Sequence, residues 1–116
     1  MERTIEFYRT PAGKCPVEEF LDLLDGKEAQ KVLWVFRLVE ELKRVPRKYF
    51  QKMVDSEEIW EVRVLTHQGL YRFFSFFFSG KHLIVTHGYA KQSQKTDPQE
   101  LRRAERYRRE YLSRKR

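Results

Sequence analysis

Apolar and polar residues alternate at the start of this chain, switch to a helical period, and then alternate again. Residues 4–8, TIEFY, alternate with β-branched and aromatic types and predict a strand. After the turn TPAGK, Val17, Phe20, Leu21 and Leu24 recur at i, i+3, i+4 and i+7, one apolar stripe on a short helix. Asp25 and Glu28 form a D-x-x-E box that caps a second helix running from about 27 to 44. Its buried face is Val32, Val35, Phe36, Val39 and Leu42, while Arg37, Glu40, Glu41 and Lys43 face water. Two amphipathic helices with a tight joint make a helical hairpin, which Pro46 closes.

Residues 47–56, RKYFQKMVDS, show no period and read as irregular, basic at the start. Alternation resumes in IWEVRVLT (59–66), with Trp60, Val62 and Val64 on one face and Glu61, Arg63 and Leu65 on the other. His67-Gln68-Gly69 turns the chain, LYRFFSFFF (70–78) returns antiparallel, and HLIVTHGYA (82–90) follows after Ser79-Gly80-Lys81. The FFSFFF run is apolar on both faces, which suits the middle of a meander. Asp97 to Glu100 is a second D-x-x-E box, with Pro98 at N1, and opens a last helix with the stripe Leu101, Ala104, Tyr107, Tyr111. The predicted order is β-α-α-β-β-β-α. This is an α+β fold, a mainly antiparallel sheet of about four strands packed by the N-terminal hairpin and the C-terminal helix. At 116 residues it is expected to be one domain, 1–116.

Composition adds a partner. Hydrophobic residues make up 41% and aromatics 15%, so stability is expected from burial. The single cysteine, Cys15, permits no intrachain disulfide and suits a reducing cytoplasm. The N-terminus is polar and breaks at Pro11, unlike a secretory signal. No apolar run approaches the roughly 20 residues that span a bilayer. The expectation is a cytoplasmic protein with no membrane partner. A net charge of +7 and a pI near 9.7 favour a polyanion, nucleic acid before membrane. Eight of these cations (Arg102, Arg103, Arg106, Arg108, Arg109, Arg114, Lys115 and Arg116) lie in the last helix and tail, where contact with a polyanion or an acidic partner is expected.

Candidate chemistry follows from the same register. His67, His82 and His87 lack HxxxH or HxH spacing and there is no cysteine pair, so neither a metal site nor a cofactor is expected. No Gly-rich phosphate loop or nucleophile elbow occurs. With a two- or four-residue turn, Arg63 and Arg72 share a sheet face, and alternation aligns His87, Tyr89 and Lys91 on the next strand. Arg63, Arg72, His87 and Lys91 are therefore the expected catalytic cluster. Tyr89, Lys95, Arg47, Lys48 and Lys52 are the expected RNA contacts. The ribbon THGYAKQSQKTDP (86–98) has no acid before Asp97 to neutralise it.

Such a grouping suits RNA cleavage without metal. The 2′-hydroxyl attacks the adjacent phosphate, fixed cations stabilise the developing charge, and a base and an acid move the protons. Tyr89 offers an aromatic face to an unpaired base. Each residue also has a plainer reading: Glu61 is the ordinary strand partner of Arg63, and a lone histidine or tyrosine commonly packs.

The pieces WEVRV (60–64), YRFFSFF (71–77) and THGYAKQSQKTDPQE (86–100), with Ala104 after them, resemble the phage-derived HigB-like branch of the RelE/ParE toxin superfamily. The resemblance covers nearly the whole chain. It implies the toxin of a type II toxin–antitoxin system, a ribosome-dependent mRNA endoribonuclease working in the A site, with a helix-turn-helix HigA-like antitoxin and a toxin–antitoxin hetero-oligomer. Arg63 matches the arginine of W-E-x-R, Arg72 that of Y-R, His87 the motif histidine, Lys91 the first lysine of K-K, and Lys95-Thr96 the K-T pair. Tyr89 stands where phenylalanine is usual, Gln92 replaces the second lysine, and Pro98 comes one residue late. Two other readings compete: a basic nucleic-acid or partner-binding module that cuts nothing, and a gyrase-inhibiting ParE-like toxin.

Overall fold

The computed structural model describes residues 1–91 and 97–115, and in them the elements run β1 (Thr4–Phe7), α1 (Pro16–Leu21), α2 (Gly26–Glu41), β2 (Phe50–Lys52), β3 (Trp60–Thr66), β4 (Gly69–Phe78), β5 (His82–Ala90) and α3 (Pro98–Arg114). The expected class holds: an α+β arrangement of one mixed sheet and three helices. The sheet has five strands in the order β1-β5-β4-β3-β2, one more than predicted. The extra strand, β2, lies inside the segment read as irregular. It forms because Phe50 pairs with Val62 and stacks its ring on Trp60, centroids 4.9 Å apart, a gain no local pattern announces.

The meander has the predicted geometry. A two-residue turn at His67-Gln68 joins Thr66 to Gly69 and sets Arg63 opposite Arg72. β4 is the central strand, as its run of phenylalanines requires, and pairs antiparallel with β5 on its other side. β1 joins the far edge of β5 in parallel, Thr4 opposite His82 and Phe7 opposite Val85. Opposite Phe74 and Ser75 the register of β5 slips, and Thr86 has no partner across the ladder.

The two sheet faces are covered differently. On one, the α1–α2 hairpin buries Val17, Val32, Val35, Phe36 and Val39 against Val62, Val64, Phe73, Leu83 and Val85. On the other, α3 buries Leu101, Ala104 and Tyr111 against Tyr8, Ile59, Phe74, Phe76 and Ile84. Both predicted caps form. The Asp25 carboxylate accepts from the Glu28 amide at 2.9 Å and that of Asp97 from the Gln99 amide at 3.1 Å, each filling one of the helix's open donors. α2 ends at Glu41 rather than near 44, so Leu42 falls just past the helix and is 38% exposed instead of completing the stripe. Gly88 is required by packing: a Cβ there would come 2.3 Å from the Phe73 ring.

Candidate functional site

β3, β4 and β5 place three residues side by side on the α3 face: Arg63 opposite Arg72, and Arg72 opposite Tyr89. Direct cross-strand neighbours of this kind have Cβ atoms roughly 4.5–5.5 Å apart. Lys91 follows Tyr89 by two residues, and its amide donates to the Leu70 carbonyl at 2.8 Å, extending the ladder one bond past β5. Of the predicted group Arg63, Arg72, His87 and Lys91, the register sets the first three on one face with Tyr89, and the Lys91–Leu70 bond carries the same alternation on to Lys91. Lys95 and the rest of the 92–96 ribbon lie outside the described residues.

Burial divides the cluster. Arg72 is only 3% exposed, and its Nε donates to the fully buried Glu61 carboxylate. Glu61 also accepts from Gln51 Nε2 at 2.9 Å and from Arg63 Nη1 at 3.5 Å. Its charge is the counterweight that lets an arginine sit under the sheet surface. Arg72 Nη1 in turn donates to the Tyr89 hydroxyl at 3.0 Å, and its guanidinium lies over the Phe74 ring at 5.2 Å. The expectation that Arg72 presents an open charge to phosphate is therefore corrected. It is a spent cation that fixes Tyr89 Oη. Burial pushes the Tyr89 hydroxyl above its ordinary pKa while Arg72 draws it back, so the phenol keeps its proton.

His87 is corrected as well. It shares the face by register, but α3 closes over it and leaves it 1% exposed. The Thr86 hydroxyl donates to the Phe74 carbonyl at 3.1 Å and lies 3.0 Å from His87 Nδ1. His87 Nε2 lies 3.3 Å from Glu100 Oε1. Burial holds this imidazole below its ordinary pKa, and Glu100 offsets part of the shift. His87 stacks at 21° on Tyr89, centroids 6.4 Å apart, and serves as a wall for that ring.

The expected RNA contacts separate too. Lys52 pairs across the strands with Trp60, so it belongs to the hairpin face, and Glu58 neutralises it at 3.0 Å. Arg47 lines a recess there with Arg3, Phe50 and Trp60. Lys48 alone joins Arg63, in a cleft of about 270 Å³ lined by Lys31, Lys48, Tyr49, Arg63, Leu65 and Leu70. Sequence reasoning missed Lys31 and Tyr49. The available signal was Lys31-x-x-Trp34, a cation and an indole one turn apart and off the buried stripe of α2. In the arginine-rich last helix, by contrast, Arg102, Arg103 and Arg114 meet carboxylates of the helix itself and Arg109 meets Glu57, each within 3.6 Å.

Residues 19–109 match the family model described as phage-derived protein Gp49-like (DUF891). The chain belongs to the phage-derived Gp49-like family. This is a RelE/toxin-like family, which agrees at that level with the motifs of β3, β4 and β5. The match runs from α1 through most of α3 and contains Arg63, Arg72, Tyr89, Lys91 and the cleft beside them. No curated protein matches this Gp49-like chain. Among its described residues no helix is long and apolar enough to cross a membrane.

Proposed function

We propose that this Gp49-like protein is the HigB-like toxin of a type II toxin–antitoxin pair, and that it cleaves mRNA in the ribosomal A site by attack of the 2′-hydroxyl on the adjacent phosphate. The observation that carries this reading is the Arg63–Arg72–Tyr89 row across three neighbouring strands, with Lys91 continuing it. Arg63 and Lys91 meet the phosphoryl oxygens as negative charge develops. Tyr89, held by Arg72 and still protonated, donates to the departing 5′-oxygen. His87 and Arg72 act through Tyr89 as positioning residues. Because His87 is sealed beneath α3, the scheme assigns the 2′ proton to a base on the ribosome. That is the physical reason for tying the reaction to a translating complex. The reaction draws on no metal, and the neutralising partner is a helix-turn-helix HigA-like antitoxin forming a hetero-oligomer with the toxin.

A translating extract with primer extension across a reporter message tests this. Cuts in codon register are expected, and Lys91→Ala or Tyr89→Phe should slow them by about 10²–10³-fold, the usual effect of losing one transition-state donor. Full cutting by both variants would remove the site. One observation favours a second reading: the Glu61–Arg72 pair is as buried as a structural ion pair. A basic module that binds without cutting would leave the message intact while translation stops, and a gyrase-directed toxin would leave it intact while DNA breaks.

A further inference from the structure

α2 carries an exposed indole that the core does not use. Trp34 is 47% exposed and Leu33 beside it 50%, whereas Val32, Val35 and Phe36 on the inner stripe are buried. Lys31 Nζ sits over the Trp34 ring at 4.5 Å, Tyr49 meets that ring edge-on with centroids 6.1 Å apart, and Lys48 Nζ lies over Tyr49 at 5.0 Å. Lys31, Lys48 and Tyr49 also line the cleft that reaches Arg63 and Leu70, and Leu70 is the residue bonded to the Lys91 amide. Aromatic rings and cations thus alternate from the outer surface of α2 to the candidate site.

Charge in this strip is unbalanced in one direction. Among the described residues no carboxylate lines the Lys31–Arg63 cleft, and of its cations only Arg63 reaches one, Glu61 at 3.5 Å behind it. The adjoining cleft of about 470 Å³ shares Lys31 and Leu65 and adds Lys27, Glu28, Thr66 and His67. Its one acid, Glu28, is 7% exposed and already accepts from the Thr66 and Tyr71 hydroxyls. Contrast α3, where four arginines have carboxylate partners. A strip with unneutralised cations and rings presented at their faces fits a single strand: phosphates take the charges and unpaired bases take the rings. A duplex offers the same phosphates but hides its base faces.

We infer that Trp34, Lys31, Lys48 and Tyr49 form a stacking platform for a single-stranded RNA segment continuous with the one reaching Arg63 and Lys91. The choice of RNA rests on the function proposed above. A base arriving on Trp34 displaces the Lys31 ammonium from the ring, and that ammonium then meets the neighbouring phosphate. The platform sets where the message lies and touches no reacting atom.

Fluorescence anisotropy with a labelled single-stranded RNA about ten nucleotides long tests the platform on the full chain, without ribosomes. Trp34→Ala is expected to weaken binding about 5–150-fold, the range for one stacked base, and Trp34→Phe to recover most of it. Lys31→Ala with Lys48→Ala should weaken binding and flatten its salt dependence. Duplex RNA of the same sequence should compete poorly. Unchanged affinity of a folded Trp34→Ala, checked by circular dichroism, would overturn the platform, as would equal binding of duplex. So would a Trp34→Ala effect confined to a protein partner. Lys91→Ala separates this inference from the reading it rests on: binding that depends on Trp34 without codon-register cutting fails the cleavage reading alone. Cutting with Trp34-independent binding fails the platform alone.

Discussion

The two faces of one sheet solve burial in opposite ways. Under the α1–α2 hairpin, valines and phenylalanines meet one another in a mostly apolar layer governed by shape and volume, with Glu28 buried at its margin beneath the Tyr71 and Thr66 hydroxyls. Under α3 and beside it, the same strands bury Glu61, Arg72, Thr86 and His87, each of which must be matched by a partner or pay desolvation. Both faces carry an apolar core, but the α3 face also holds several buried polar groups in fixed positions where the hairpin side holds Glu28. That contrast is what marks the α3 face as the candidate site.

The largest expected effects put one residue of each face to the test. Glu61→Ala leaves Arg72 buried and uncompensated and should cost about 3–5 kcal/mol by urea denaturation. Phe73→Ala, on the hairpin face, should cost about as much through its cavity. The faces differ in rescue. Glu61→Leu combined with Arg72→Met should restore most of the stability lost by Glu61→Ala, since an apolar pair of similar volume replaces a buried ion pair at little cost. Tyr89 would still lose its hydrogen bond, so message cutting should stay low in the double variant. A stable double variant that cuts normally would detach Arg72 from the site.

A smaller effect probes the tightness of the dry face. Gly88→Ala drives a methyl into the Phe73 ring and should cost about 1–3 kcal/mol, read from the denaturation midpoint. Smaller still is the effect of acid on the polar face. The folded-state pKa of His87 lies below its unfolded value of 6.5, so the folded protein binds fewer protons there. Stability is whole above that value and falls as pH drops through it, at no more than about 1.4 kcal/mol per pH unit for one proton, and the loss ends below the folded pKa. Glu100, held below its usual 4.5 first by the His87 contact, adds a loss only under that lower value. Thermal melts from neutral to acid pH should show the first slope, and His87→Asn should flatten it. The smallest change is expected from Arg109→Ala. Its two bonds to Glu57 at 2.9 Å are exposed, so the melting midpoint should barely move, and less at high salt.

Much of the molecule can be read without coordinates, and the misses share a cause. Trp60, Val62 and Val64 alternate inward as written, the aspartates of the D-x-x-E boxes cap their helices while Glu28 and Glu100 turn to other partners, and a two-residue turn was one of the two lengths that align Arg63 with Arg72. All of these depend on neighbours within a few positions. β2, a three-residue strand, depends on Trp60 across the sheet. Lys52 was grouped with the site because it is basic and nearby in sequence, but strand parity sends it to the other face. The Lys31-x-x-Trp34 signal is easily passed over, because helix periodicity identifies the buried stripe and is silent about what gathers on the outside.

The sequence by itself determined the helices, the three meander strands and the alternation of faces within each, because periodicity is a local property of the chain, while the structure chose the two-residue turn that sets Arg63 beside Arg72. Only the tertiary structure decided which charges stay open. Glu61 claims Arg72 and reaches Arg63, α3 covers His87, and Lys31 and Lys48 are left to the cleft beside them, since burial and pairing depend on elements that arrive from distant parts of the chain.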